Sequence, residues 1–346
     1  MGGGGAQDTQ TMLRQEAERW ASLARRASAE DTTLDVKGII WLEHVNIVVG
    51  DRDLAEIFYF QGLGLTRDPV RDVGRTMWAN VGPRQQFHLV DASDGEGAQR
   101  LYGSIGLALP DLKALLARLE SVTGSLRGTL FSFDDCGDVV AVTCPWGNRL
   151  FVFPSKAELS RPSGPPSAKA RRMTLMESVH ASVDQGMGVR GEPGIRFVQA
   201  ACSSTEGVAR FYKDSLGCCV HQGGHGDVAV CVGPTVHLIF SPHEDGMSEP
   251  QRSKRIEQAR GIHICIYISN FKQTFETLQK TGAIWTNPRF AALDTCDSYE
   301  EAAAGRQFRF RSIRDPSTGK ELVELEHETR SLRHLQFMKE VLYVKK

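Results

Sequence analysis

Several things are scarce or missing in this chain, and each absence narrows the reading. The eight cysteines of the 346 residues contain no Cys-x-x-Cys pair. Cys202, Cys231 and Cys265 sit inside strand-like runs, where a small buried thiol is common. Cys218 and Cys219 are adjacent and cannot easily bond each other. A disulfide framework and zinc-ribbon chemistry are therefore not expected, and a reducing compartment is. No run reaches the roughly 18 apolar residues of a membrane span. The opening Met-Gly-Gly-Gly-Gly-Ala has no apolar core of a signal peptide. Ala6 stands where a myristoylated Gly2 would want Ser or Thr. A cytoplasmic protein is the expectation, with an organelle left open. Charge of one sign is also missing: the formal net charge is −1, which favours neither nucleic acid nor a membrane surface as partner.

What is present is a pattern of short strands. Residues 1–38 read as a flexible start and one helix, with Leu13, Ala17, Trp20, Ala24 and Ala27 at helical spacing. It suits packing on a domain or on a partner subunit. From Ile39 a β-α-β-β-β order begins: strand Leu42–Val49, helix Arg52–Gln61 stopped by Gly62-Leu63-Gly64, then strands at 75–81 and 85–91. Residues 102–153 repeat it, with helix Asp111–Thr123 and a Pro145-Trp146-Gly147-Asn148 turn. Residues 156–193 are rich in Pro, Gly, Ser and basic residues, as linkers are; a short helix at 174–183 is allowed. A third unit covers 195–241 and a fourth 262–326. The fourth carries an insertion at 290–306 whose Asp297-Ser298-Tyr299-Glu300-Glu301 start suits a capped helix. A helical tail is expected over 331–343. The domains are thus 39–155 and 194–328, joined by 156–193, with 329–346 as tail.

The fourth unit holds the most chemistry. Ile262, Ile264, Ile266 and Ile268 alternate with His263, Cys265 and Tyr267. A period of two places the isoleucines on one sheet face and the histidine on the other. In the last strand Val323 and Leu325 alternate with Glu324 and Glu326. A buried carboxylate needs a partner; a metal supplies one, and Arg309 or Arg311 is the structural rival.

Four ordered βαβββ units form an internal repeat. The repeat resembles the vicinal oxygen chelate superfamily, which includes glyoxalase I, fosfomycin and bleomycin resistance proteins and extradiol dioxygenases. Leu42-Glu43-His44-Val45-Asn46-Ile47 resembles the first strand of such a module. Phe211-Tyr212-Lys213-Asp214-Ser215-Leu216-Gly217 resembles its helix end, as does 58–65. Pro145-Trp146-Gly147-Asn148 and Asp315-Pro316-Ser317-Thr318-Gly319 resemble the turn before its last strand. The resemblance covers roughly 39–155 and 194–328. It implies an α+β fold of four βαβββ modules paired into two glyoxalase-like domains, each a cup with four ligand positions on first and last strands.

By that resemblance the positions in the first domain fall at His44, His88, Ser104 and Phe151. In the second they fall at Phe197, His237, His263 and Glu324, with Glu326 as the alternative by register. The expected metal site is therefore His237, His263 and Glu324, with His44 and His88 as a second, weaker pair. Two His and one Glu suit Fe²⁺ first, and also Zn²⁺, Mn²⁺ or Ni²⁺. Tyr267 and Gln199 are the candidate catalytic residues, as a general acid or as substrate-orienting groups. The chain departs from the ring-cleaving members in carrying Phe197 where they have their first histidine, and in lacking an Arg-His-x-x-Asn stretch. The implied function is a metal-dependent dioxygenase, or a glyoxalase-type lyase or isomerase, acting on a small oxygen-rich molecule. The alternative is a non-catalytic small-molecule-binding member or pseudo-enzyme with a structural or assembly role. A homodimer is allowed.

Overall fold

The computed structural model describes residues 4–30, 38–69, 75–92, 97–155, 192–244, 246–289, 291 and 294–339. The linker reading over 156–191, with its short helix, lies outside the described residues.

Helix α1 (Gly4–Glu30) precedes the repeat. The first module is β1 (Ile39–Val49), α2 (Arg52–Ala55, continuing as a π-turn over Glu56–Gly62), β2 (Thr66–Arg67), β3 (Thr76–Gly82) and β4 (Gln85–Asp91). The second is β5 (Gly103–Leu109), α3 (Leu112–Val122), β6 (Ser132–Asp135), β7 (Val140–Thr143) and β8 (Arg149–Pro154). The third is β9 (Gly194–Cys202), α4 (Thr205–Leu216), β10 (Val220–Gln222), β11 (Val228–Cys231) and β12 (His237–Pro242). Helix α5 (Glu249–Ala259) leads into the fourth, β13 (His263–Ile268), α6 (Phe271–Lys280), α7 (Tyr299–Gly305), β14 (Gln307–Arg314) and β15 (Glu321–Ser331).

Local chemistry explains many of these boundaries. Asp111 and Ser204 each accept a hydrogen bond from the third residue on, capping α3 and α4. Gly217 ends α4 in the left-handed region, at φ 73°. Ser298 and Glu301 form a reciprocal capping box at α7, as the sequence suggests. The fourth module has one strand fewer than its pattern: Ile284 makes only an isolated bridge to Phe310. The expected helix over 331–343 is not formed among the described residues. The chain stays extended to Ser331, because β15 pairs with both β13 and β14 to its last turn, and then runs through turns.

The strands form two sheets. One has the order β14-β15-β13-β1-β4-β3-β2 and the other β10-β11-β12-β9-β5-β8-β7-β6. The first module therefore joins the fourth, through antiparallel β1 and β13, and the second joins the third, through antiparallel β5 and β9. This corrects the expectation that modules adjacent in sequence share a sheet. Part of the reason lies in two glycines. A Cβ at Gly103 would stand 1.9 Å from the Gln199 carbonyl oxygen, and one at Gly106 would stand 2.2 Å from the Phe197 ring. Only a strand bare at both places can lie against β9.

One face of each sheet, with α2, α3, α4 and α6, forms a continuous apolar core. The other face of the eight-stranded sheet is covered by α1. Ala17, Trp20, Leu23, Ala24 and Ala27 pack there on Phe151, Phe197, Ala229 and Ile239. Glu16–Arg149 and Arg19–Asp227 ion pairs pin the helix at its polar edge. The corresponding face of the seven-stranded sheet is polar.

Candidate metal centre

Strand alternation builds that polar face. On β1, Leu42, Val45 and Ile47 enter the core and His44 turns the other way. On β13, Ile264, Ile266 and Ile268 enter the core and His263, Cys265 and Tyr267 oppose them. On β15 the opposing residues are Glu324, Glu326, Glu328 and Arg330. Register then sets the rows. Cys265 pairs with His44 on one side and with Glu328 on the other, while His263 pairs with Asn46 and Glu326.

His44 Nε2 stands 3.7 Å from Glu328 Oε2, and His263 Nε2 stands 3.6 Å from the same oxygen. Ligating atoms of all three lie within 4.8 Å of one another. The three residues are 1%, 3% and 5% exposed, so the cluster is shut off from water. Neither ring nitrogen of His44 has a hydrogen-bond partner among the described residues. Burial, and next the neighbouring His88, push the His44 imidazole well below its ordinary value, so the ring is neutral with a free lone pair. His88 stacks on His44 with centroids 3.6 Å apart, and Trp78 packs on His88 at 3.8 Å.

Burial works against the charge on Glu328, but Arg330 and Arg309 outweigh it and hold the carboxyl well below the usual range. Arg309 donates from Nη2 to Glu328 Oε2 at 2.8 Å, from Nη1 to Glu326 Oε1 at 2.8 Å and from Nε to Asp294 Oδ2 at 2.7 Å. Asn287 donates to both oxygens of Glu326, at 2.9 and 3.0 Å. Arg330 reaches Glu328 Oε1 at 2.5 Å and donates to Glu43 Oε2 at 2.6 Å. Tyr267 donates its hydroxyl to the same Glu43 oxygen at 2.7 Å. Four carboxylates, Glu43, Asp294, Glu326 and Glu328, thus share two guanidinium groups, Arg309 and Arg330. With every group ionised, the cluster carries a formal charge of minus two in a water-poor interior.

This geometry changes the expected ligand set. His237 lies on β12, in the other sheet, and does not meet His263. Glu324 is on the right face but too near the hairpin: it pairs with Ser312 and stands 3.4 Å from Arg260 at the sheet's edge. Glu326, the alternative by register, is taken up by Asn287 and Arg309. Glu328, two residues further on, is level with the histidines. His44 supplies the second imidazole, and its expected companion His88 stacks behind it. Tyr267 lies beside the cluster, whereas Gln199 belongs to the other sheet, between Ser104 and Ser241. Phe151 and Phe197 are packed under α1. The histidine on the first strand of the first module and the histidine on the first strand of the fourth are therefore partners, because those two strands are hydrogen-bonded neighbours.

Each sheet joins two modules through their first strands, the fourth module being one strand short, with chemistry-bearing residues on first and last strands. This arrangement resembles that of the vicinal oxygen chelate superfamily. No protein-family model matches the chain, nor does any curated protein. Among solved structures it is similar to a glyoxalase I variant from Zea mays at 13% identity, over 87% of this chain and 96% of that one, with a TM-score of 0.47. It is also similar to a 2,3-dioxygenase from Pseudomonas at 13% identity, over 86% and 93%, with a TM-score of 0.28. A glyoxalase/bleomycin resistance protein from Streptomyces aligns at 23% identity over 32% of this chain and 96% of its own, with a TM-score of 0.24. No helix among the described residues is long and apolar enough to cross a membrane.

Proposed function

We propose that this chain is a metal-dependent enzyme acting on a small oxygen-rich molecule, with His44, His263 and Glu328 as the ligands of a divalent ion. The observation that carries the reading is His44, a buried neutral imidazole with no hydrogen-bond partner on either nitrogen among the described residues, facing an ionised carboxylate. A buried, unpartnered polar ring is costly, and a metal removes that cost. The donor spacing fits. Ligands about 2.1 Å from a tetrahedral ion stand about 3.4 Å apart, and the two measured separations exceed this by a few tenths of an ångström. The charge fits as well, since a divalent cation cancels the formal minus two of the cluster. Two imidazoles and one carboxylate with open positions suit iron(II) first, and zinc, manganese or nickel after it.

When bound, the metal would polarise adjacent oxygens of the substrate as a Lewis acid. The protein's own groups do the rest. Arg309 and Arg330 keep Glu328 ionised, and burial keeps His44 unprotonated. Burial, and after it the charge of Glu43, raises the Tyr267 phenol, so the hydroxyl keeps its proton and gives it in a hydrogen bond to Glu43. Tyr267 thus reads as a positioning residue for Glu43 and Arg330. Low exposure excludes water and strengthens each of these interactions.

One observation favours a second reading, a metal-free binding protein or pseudo-enzyme: both oxygens of Glu328 already meet an arginine. Anaerobic reconstitution of the purified chain with iron, zinc, manganese and nickel separates the two. The enzyme reading expects about one ion per chain and a raised melting temperature. Less than about a tenth of an ion per chain with no thermal shift removes it. Oxygen uptake and glyoxalase-type turnover of the loaded protein then distinguish dioxygenase from lyase or isomerase.

A further inference from the structure

The eight-stranded sheet has its own cavity, of about 430 Å³, where the polar edge of α1 meets the ends of β9 and β12. Its size is that of a small-ligand site. Arg19, Tyr102, Arg149, Gln199, Ser241 and His243 line it. The hydrogen-bond inventory of these residues is unbalanced. Arg149 gives both Nη atoms to Glu16, and Arg19 gives Nε and Nη2 to Asp227. Arg149 Nε and Arg19 Nη1 make no protein hydrogen bond among the described residues. Ser241 Oγ accepts from Gln199 at 2.8 Å and keeps its own proton to donate. His243 Nδ1 is buried with no partner among the described residues. Three surplus donor positions, on Arg149, Arg19 and Ser241, around one polar cavity call for a ligand rich in acceptors. On one wall the Tyr102 and His243 rings stack, with centroids 5.4 Å apart and planes 14° from parallel, and Arg255 covers the outer face of Tyr102. Tyr102 is thus held between Arg255 and His243, and it fixes the His243 ring at the cavity.

We infer that this cavity is a binding site for a small carboxylate, whose oxygens meet Arg149, Arg19 and Ser241 and whose body lies beside His243. The site is separate from the His44 cluster, on the other sheet, and stands whether or not that cluster holds a metal. It needs α1, which contributes Arg19 and the Glu16 that competes with the ligand for Arg149.

Calorimetric titration of the full chain tests it, with benzoate as probe and benzamide as its neutral match. Benzoate is expected to bind saturably and benzamide at least about tenfold more weakly, as one charge-assisted hydrogen bond would give. Glu16→Gln and Arg149→Gln break the same ion pair, so a merely structural role moves them alike. The ligand site moves them apart: Glu16→Gln frees Arg149 and tightens benzoate, and Arg149→Gln weakens it about tenfold or more. Ser241→Ala, which leaves the pins of α1 intact, is expected to weaken benzoate several-fold. No saturable benzoate binding up to about 10 mM, a range covering even the weakest specific sites, overturns the inference. So do equal affinities for the two probes, or shifts of the same sign in the Glu16 and Arg149 variants.

Discussion

His44 Nε2 and Glu328 Oε2 lie 3.7 Å apart, one on the first strand of the repeat and the other on the last. Nearly the whole length of the fold separates them in sequence. They meet because β1 and β15 both flank β13, so the two ends of the chain close one sheet around the middle of the molecule. The polar cluster is thus the place where the repeat joins its own beginning.

Substitution should separate the proposed ligand set, His44, His263 and Glu328, from the one that the resemblance implies. His44→Ala and His263→Ala are each expected to lower metal affinity by more than the 10–100-fold typical of an outer-shell change, about 100-fold or greater. Glu328→Gln should do the same. His237→Ala and Glu324→Gln should leave affinity within about twofold, since neither residue touches the cluster. Competition titration with a chelating dye reads all five. Equal losses in the His237 and His263 variants would contradict this assignment.

Arg309 is the hub of the charge network, and removing it should be severe. Its guanidinium is buried and donates to Asp294, Glu326 and Glu328. Burial alone would lower the charge on Arg309, but the three carboxylates reverse that and hold it protonated. Arg309→Met fills similar space and leaves three acids facing one another. We expect a loss of about 3–5 kcal/mol in urea unfolding. Arg311→Met is the control, because among the described residues Arg311 lies over Trp285 and outside the carboxylate network; it should cost well under about 1 kcal/mol.

The fold was largely legible, because alternation and helix stops fix each element locally. His263, Tyr267 and the glutamate face of β15 could be named from a period of two, and His44 and His88 from the resemblance. Partnership could not. Alternation tells which face a residue occupies and is silent on which strand lies beside it. The decisive signals for pairing are steric, such as Gly103 and Gly106 giving way to Gln199 and Phe197. Glu324, Glu326 and Glu328 share one face, so only the register of β15 against β13 selects among them. The one sequence clue to Glu328 is Arg330 two residues on, a second charge on the same buried face. Arg309 and Arg311 are the expected rivals of a metal for Glu324, but Arg260 is the arginine beside it and Arg311 lies over Trp285. Arg309 holds Glu326 and Glu328 instead.

Stability should fall as pH drops below neutrality, from His327 in the core. Its Nε2 stands 2.8 Å from the Tyr212 hydroxyl and its Nδ1 2.8 Å from the Leu325 carbonyl oxygen. Burial pushes this imidazole down to about 3 from 6.5. Between those values the unfolded chain binds a proton that the folded chain refuses, so stability declines with falling pH by about 1.4 kcal/mol per unit. His44 is lowered as well and adds in the same direction. Glu328, held ionised, contributes a further loss below about 4.5. Urea midpoints measured in chelator between pH 7 and 4.5 should show the slope. His327→Gln, which can still meet Tyr212, should flatten it by about 1.4 kcal/mol per unit.

Helix α1 should be separable from the cluster of His44, His263 and Glu328. Its buried residues, with Trp20 the largest, cover Phe151, Phe197 and Ile239 on the eight-stranded sheet, while the histidines lie on the other. Trp20→Ala removes a fully packed indole and should cost about 3–5 kcal/mol of docking. Much of that loss should appear as release of the helix, since few elements hold it besides two partly buried ion pairs. Dye binding to exposed apolar surface should rise, and trypsin should cut at Arg25 and Arg26 under conditions where the wild-type chain resists. Metal stoichiometry should stay unchanged, because His44, His263 and Glu328 are tied to β1, β13 and β15 and to none of the strands that α1 covers. A variant that sheds its helix and its metal together would instead show that the two sheets rise and fall as one unit.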